Sequence, residues 1–270
     1  MLTEFSFDME MLVRLSSFVG VFAVFAIWER LAPRRVQQHS RSVRWFNNLA
    51  LTVLNGLVVR LGIPLAAVGT AVAAQQQNLG LLNQVDLPAW LAMIGVIVVM
   101  DLVLYLQHLA FHHVDVLWRL HRMHHADLEV DVTTGLRFHP IEIVLSMGIK
   151  MAVVLALGAP VAAVIIFEVL LNASSLFNHA NIYMPGKADR VLRYFIVTPD
   201  MHRVHHSVIR KETNSNFGFN VPWWDYLFGT YRADPQAGHT GMKIGIEYFR
   251  TRRDLWLDHL LIQPFRKTPE

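Results

Sequence analysis

The chain has 270 residues, of which 53% are hydrophobic and 17% charged, with a mean hydropathy of +0.34. So apolar a composition suits a membrane protein and not an ordinary soluble domain. The net charge of +3 gives no footprint for nucleic acid, and the absence of cysteine excludes disulfides, cysteine-held zinc, iron–sulfur clusters and thiol nucleophiles.

The first ten residues, MLTEFSFDME, are acidic. A cleavable secretory signal starts basic and ends in small residues, so residues 11–31 read as an uncleaved anchor, long enough to cross a bilayer at about 20 residues per span. Arg34, Arg35, Arg41 and Arg44 follow it, as Lys and Arg do at the cytoplasmic ends of spans. A second apolar stretch, 45–75, is interrupted by Arg60 and Pro64. It predicts one kinked span or a span plus a half-helix. The polar connection QQQNLGLLNQVDLP leads to a third span, 89–110, which delivers His108 and His112.

Residues 111–139 are polar and rich in His and Arg. Pro140 opens an apolar hairpin that breaks at Gly158-Ala159-Pro160 and resumes to about Phe177. Thr198-Pro199 predicts a helix start, with Thr as N-cap and Pro in the first turn. That helix carries His202, His205 and His206, and Gly229, Pro235 and Gly238 punctuate the tail. If 45–75 crosses once, five crossings leave the acidic N-terminus outside and bring every histidine box to the cytoplasmic side. The predicted fold is all-α: a membrane helical bundle of about four to five spans, capped by a cytoplasmic histidine-rich helical region that holds a dimetal site.

His108 and His112 form HxxxH; His121, His124 and His125 form HxxHH, which returns as His202, His205 and His206. Residues three and four apart share a helix face, so each box is expected to point its imidazoles at one place. Asp101, Tyr105, His108 and His112 sit at offsets 0, 4, 7 and 11, within roughly 60° at 3.6 residues per turn. Glu168, Asn172, Ser175 and His179 repeat the spacing. Acids inside spans are costly and usually functional. Asp101, Tyr105, Glu168 and Asn172 are therefore expected behind the metal ligands, with the acids holding imidazole N–H groups. The plainer reading is two polar stripes that hydrogen-bond each other.

His139 in RFHPIE and His179 in NHAN lie at the same membrane level as the boxes. The expected ligands are then His108, His112, His121, His124, His125, His139, His179, His202, His205 and His206. Ten imidazoles are too many for one metal and about right for two; imidazole suits iron, zinc, copper and nickel alike. His113 points about 100° away from His112 on a helix, and His39, His239 and His259 are isolated. No HExxH occurs, which removes the zinc metalloprotease class. The rival function is a membrane metal-ion binding or transport protein, which would place its ligands in mid-span.

The stretches DLVLYLQHLAFH, HRMHH, LRFHPIE, NHAN, TPDMHRVHH and NFGFNVPWWDYLFGTY, over about residues 100–232, resemble the fatty acid hydroxylase superfamily in its sterol desaturase branch. The resemblance implies a single membrane domain over 1–270 with its histidine-box core at about 100–232. It implies a di-iron oxidoreductase that uses O2 to hydroxylate or desaturate a membrane lipid, with zinc as a possible replacement for iron. Sterol, fatty acyl, ether lipid and carotenoid substrates remain open. The partners implied are a lipid from the bilayer and a separate electron-transfer protein of cytochrome or ferredoxin type with its reductase. A basic surface at Arg119, Arg122, Arg203, Arg210 and Lys211 is expected to dock an acidic carrier.

Overall fold

The computed structural model describes residues 7–268, so part of the acidic leader, 1–6, lies outside the described residues. The long helices are α1 (Phe7–Leu31), α2 (Arg41–Gly62), α3 (Ala66–Gln76), α4 (Ala89–His113), α5 (Asp115–His125), α6 (Pro140–Leu157) and α7 (Val161–Asn178). Short ones follow: α8 (Gly186–Leu192), α9 (Pro199–His205), α10 (Arg210–Thr213), α11 (Trp223–Phe228), α12 (Gly238–Gly241) and α13 (Leu257–Ile262). The described residues hold no strand, only isolated bridges at Pro33–Ile182 and Ser207–Ile244. The all-α expectation and the span count therefore hold. Five segments are long and apolar enough to cross a membrane: Met11–Leu31, Arg41–Asn83, Ala89–His113, Pro140–Leu157 and Val161–Asn178.

The second span takes the broken form. It parts at Ile63–Leu65, beside Pro64, and Ala66 enters α3 with φ 45°. Arg44, Asn47 and Asn48 in the first turns of α2 are buried and bonded outside the bundle's apolar core. The rest of α2 rises about 21 Å at 1.5 Å per residue, short of the roughly 30 Å hydrocarbon thickness; α3 supplies the remainder.

Where α3 ends fixes the number of crossings. Gly80 (φ +89°) lies against Gly158 (φ +65°) so closely that a Cβ on Gly80 would fall 2.1 Å from the Gly158 nitrogen. Gly158 is the turn between α6 and α7. The other ends of that hairpin, His139 and His179, lie at the histidine level, so the turn marks the opposite end. Residues 41–83 thus cross once, and all three boxes meet at one end of the bundle.

Small residues let the spans approach. Ala67 and Ala71 of α3, Val96 and Met100 of α4, Val154 of α6, and Ala163, Val164 and Phe167 of α7 form one buried cluster. The capping loop between α5 and α6 is held differently, by charge. Arg44 is fully buried and donates to Asp127 at 2.6 and 2.8 Å, to Asp131, and to Glu129 O and Thr134 Oγ1. Glu29, in the last turns of α1, accepts from Val132 N at 2.6 Å, Asn181 N at 2.7 Å and Arg41. One carboxylate so ties the first span to the loop and to the strip beside His179.

Candidate metal centre

Nine of the ten expected histidines meet. His108, His112, His121, His125 and His205 form one group, and His124, His179, His202 and His206 a second. Within each, one ring nitrogen per residue lies within 4.8 Å of all the others. All nine are buried.

The boxes do not each serve one place, as the shared-face argument expected. Each splits. The i,i+4 pair His121/His125 enters the first group, while His124 turns to the second. In the other box the pair His202/His206 enters the second group and His205 the first. Four residues advance a helix by about 400° and three by about 300°, so the pair keeps one heading and the middle histidine takes another.

The ring orientations have identifiable causes. His108 Nδ1 donates to Phe217 O at 2.8 Å, His179 Nδ1 to Ser175 O at 2.8 Å and His205 Nδ1 to Ser215 O at 2.7 Å. His121 Nδ1 donates to Glu142 Oε1 at 2.7 Å, and His112 Nδ1 lies 3.3 Å from Asn214 Oδ1. A proton fixed on Nδ1 leaves Nε2 with a free lone pair. The Ser175 carbonyl is itself held by crowding: a Cβ on Gly135 would lie 2.4 Å from it, and Ser175 Oγ donates to Gly135 O. Asp225 accepts from Phe217 N and Gly218 N, both at 2.8 Å, and so steadies the loop that orients His108.

The donor set fits metal ions. Nε2 of His108, His112, His121 and His205 is buried with no hydrogen-bond partner, as are both ring nitrogens of His125 and His206. Buried polar atoms are rarely left so. In the second group His179 Nε2 lies 3.1 Å from both His124 Nε2 and His202 Nε2, although its own proton is on Nδ1. Nitrogens bonded at about 2.0–2.1 Å to one ion at 90–110° would lie about 2.9–3.4 Å apart. Burial, with repulsion among neighbouring rings, pushes His124, His125, His202 and His206 well below the ordinary histidine value. Burial brings His179 to about 4 and His205 to about 3. Neutral imidazole is the form that binds metal.

His139 does not join. It caps α6: its Nδ1 accepts from Ile141 N and its Nε2 donates to Leu261 O at 3.1 Å. Both ring nitrogens are spent on backbone, and the side chain in RFHPIE that reaches the centre is Glu142. The four expected supporting residues also miss the imidazoles. Asp101 accepts from Asn220 at 2.6 Å and Trp224 at 2.7 Å. Tyr105 pairs with Thr230, Glu168 with Lys150 and Arg14, and Asn172 donates to Glu168 O. The supporting groups are instead Glu142, Asn214 and three carbonyls. His113 is exposed and bonded to Leu109 O. Of the expected docking residues, Arg119, Arg210 and Lys211 are exposed, whereas Arg122 and Arg203 are buried and bonded internally.

A cavity of about 290 Å³ abuts the centre. His108, His121, His124 and His202 line one end, and Lys150, Glu168 and Arg14 line it deeper in the bundle.

The fatty acid hydroxylase family model matches residues 93–230, which contain all nine clustered histidines. Ornithine lipid hydroxylase OlsE of Rhizobium tropici is 30% identical over 250 residues, covering 89% of this chain and 73% of that protein. Alkylglycerol monooxygenase of Xenopus tropicalis is 29% identical over 59% of this chain and 34% of its own length. A very-long-chain aldehyde decarbonylase of Oryza sativa subsp. japonica is 26% identical over 46% of this chain and 20% of its own. No solved structure matches. With its five membrane-length segments and two buried histidine groups, the chain belongs to the fatty acid hydroxylase family of membrane oxidoreductases.

Proposed function

We propose that this protein hydroxylates a C–H bond of a membrane lipid, using O2 and two iron ions held by the nine clustered histidines. The observation that carries the reading is the cavity whose inner end is formed by His108, His121, His124 and His202. An unactivated C–H bond offers no proton to a base and no carbonyl to a nucleophile. Bound iron would supply the O2 activation that such a bond requires. The first ion would be held by His108, His112, His121, His125 and His205, and the second by His124, His179, His202 and His206. Zinc binds imidazole at least as well as ferrous iron does and would occupy the same atoms in iron-poor preparations.

The chain's own residues have three tasks. Glu142 keeps the His121 proton on Nδ1, and the carbonyls of Phe217, Ser175 and Ser215 do the same for His108, His179 and His205. Leu104, Phe111, Ile143, Met147 and Leu171 line the cavity with apolar surface that excludes water. The spans admit the lipid from the bilayer. Placing one oxygen atom in the lipid and releasing the other as water takes two electrons and two protons from outside. A separate carrier of cytochrome or ferredoxin type is the source, docking near the exposed Arg119, Arg210 and Lys211. The relative that covers most of this chain is a lipid hydroxylase, which favours hydroxylation over desaturation. Arg34, Arg35 and Arg41, at the histidine end, favour a cytoplasmic position for the centre.

Metal transport is the weaker reading, because the nine imidazoles gather at one end of the bundle and not along a path through it. The deciding experiment uses iron-loaded protein in nanodiscs with O2, a ferredoxin and its reductase. Ornithine lipid and alkylglycerol are the first lipids to offer. The expected product is the lipid plus one oxygen atom, absent with His108→Ala. Two irons bound with no O2 uptake above background on any lipid would overturn the proposal.

A further inference from the structure

The deep end of the cavity is the unusual part. Lys150 of α6 donates to Glu168 of α7 at 2.7 Å, with side chains 12% and 3% exposed, and Arg14 of α1 meets the other Glu168 oxygen at 2.8 Å. Lys150 stands eight residues along α6 from Glu142, and Glu168 seven residues before Ser175 on α7. At 1.5 Å per residue both lie about 10–12 Å deeper than the groups that orient the histidines. Gln107 and Ser146, hydrogen-bonded at 3.0 Å, occupy the cavity wall between. Charges at that depth are expensive and mark ligand or ion paths more often than packing. A lock between helices would be best served by burying the pair against side chains, yet both Lys150 and Glu168 line open space.

We propose that the Lys150–Glu168 pair is a binding site for a zwitterionic amino-acid headgroup, so that the lipid oxidised here carries both a carboxylate and an ammonium. This rests on the lipid-hydroxylase reading above. The physical reason is complementarity. A carboxylate alone would compete with Glu168 for Lys150, and an ammonium alone would compete with Lys150 for Glu168. A zwitterion satisfies both at once, laying its carboxylate on the lysine and its ammonium on the glutamate in an antiparallel quartet. The volume of about 290 Å³ is at the small end for ligand pockets; it suits a headgroup or a short chain segment, not a whole diacyl lipid. The polar wall of Gln107, Ser146 and Asn172 is wasted on an acyl chain and useful to an amide-linked amino acid. The headgroup so held lies within reach of the histidine end, and the reacting C–H bond belongs to the headgroup or to the carbons next to it.

Binding is measured, without turnover, on the full-length protein in nanodiscs with three radiolabelled amphiphiles. N-oleoylornithine carries both charges, its methyl ester only the ammonium, and N-oleoylnorvaline only the carboxylate. The wild-type protein is expected to bind the zwitterion at least tenfold more tightly than either singly charged analogue. Lys150→Met should erase the preference for acid over ester while keeping the preference for ornithine over norvaline, and Glu168→Gln should do the reverse. This crossed pattern isolates each contact. If both variants weaken all three amphiphiles equally, the pair only locks helices and the proposal falls. Equal affinity of the wild-type protein for the three overturns it without any variant. Because no oxidation is needed, a failure here leaves the hydroxylase reading standing, and an inactive protein that discriminates the three would refute that reading alone.

Discussion

Glu142 and His139 stand three residues apart in RFHPIE, and the structure reverses the roles that residue type suggests. Glu142 holds the Nδ1 proton of His121, while His139 caps a helix. Glu142→Gln is therefore expected to lower metal affinity or activity about 10–100-fold, as loss of a ligand's supporting partner does. His139→Ala should leave metal content unchanged and cost about 0.5–2 kcal/mol of stability, the usual range for a lost N-cap. Metal per chain and thermal unfolding, measured on both variants, separate the two roles; metal lost with His139→Ala would contradict them. His113→Ala should change neither quantity. Acid provides a further check. The buried histidines have folded-state values below the ordinary 6.5, with His179 at about 4 and His205 at about 3. Between those values and 6.5 the unfolded chain binds protons that the folded chain refuses. Stability is thus full above about pH 6.5 and falls as pH drops toward 4 and 3. Metal-free protein should show a falling midpoint of thermal unfolding across that window, and the metal-loaded form should release its ions there.

At the scale of elements, the spans were legible because length and hydropathy alone decide them, and the histidine boxes because their spacing survives on any helix. The break at Ile63–Leu65 was legible as a choice, from Pro64, but not as an outcome, which depends on how much of α2 the capping loop takes up. Three orienting groups, the carbonyls of Phe217, Ser175 and Ser215, carry no signature because every residue has a carbonyl. Asp101 and Glu168 misled for a related reason. Their offsets put them on the histidine faces, but seven residues on a helix rise about 10 Å, too far to touch the rings. Arg44 shows what the loop between α5 and α6 depends on. It is wholly buried between Asp127 and Asp131. Burial would raise Asp127, but the nearby Arg44 and Arg137 guanidiniums outweigh it and hold it at about 2. Arg44→Met leaves two buried carboxylates without their cation and should cost about 3–5 kcal/mol, read by denaturant unfolding in mixed micelles. A loss under 1 kcal/mol would mean that the loop is held by something else.

For the whole molecule, the single crossing of residues 41–83 fixes which loops share a side. The chain contains no cysteine, so one introduced thiol reports its own side with no background. Val36→Cys and Leu81→Cys, both at exposed positions, should react with a membrane-impermeant maleimide from opposite faces of oriented vesicles. Labelling of both from one face would undo the five-crossing topology. The divided boxes have a consequence of another kind. Each HxxHH helix gives two histidines to one group and the third to the other, so the two sites are woven from the same two turns of chain. Seating an ion in either site straightens both helices and leaves the vacant partner already shaped. Titration with ferrous iron should then be steeper than for independent sites, with little singly loaded protein at the midpoint. A protein engineer seeking a one-ion version would find no histidine pair to delete that leaves the surviving site's scaffold whole.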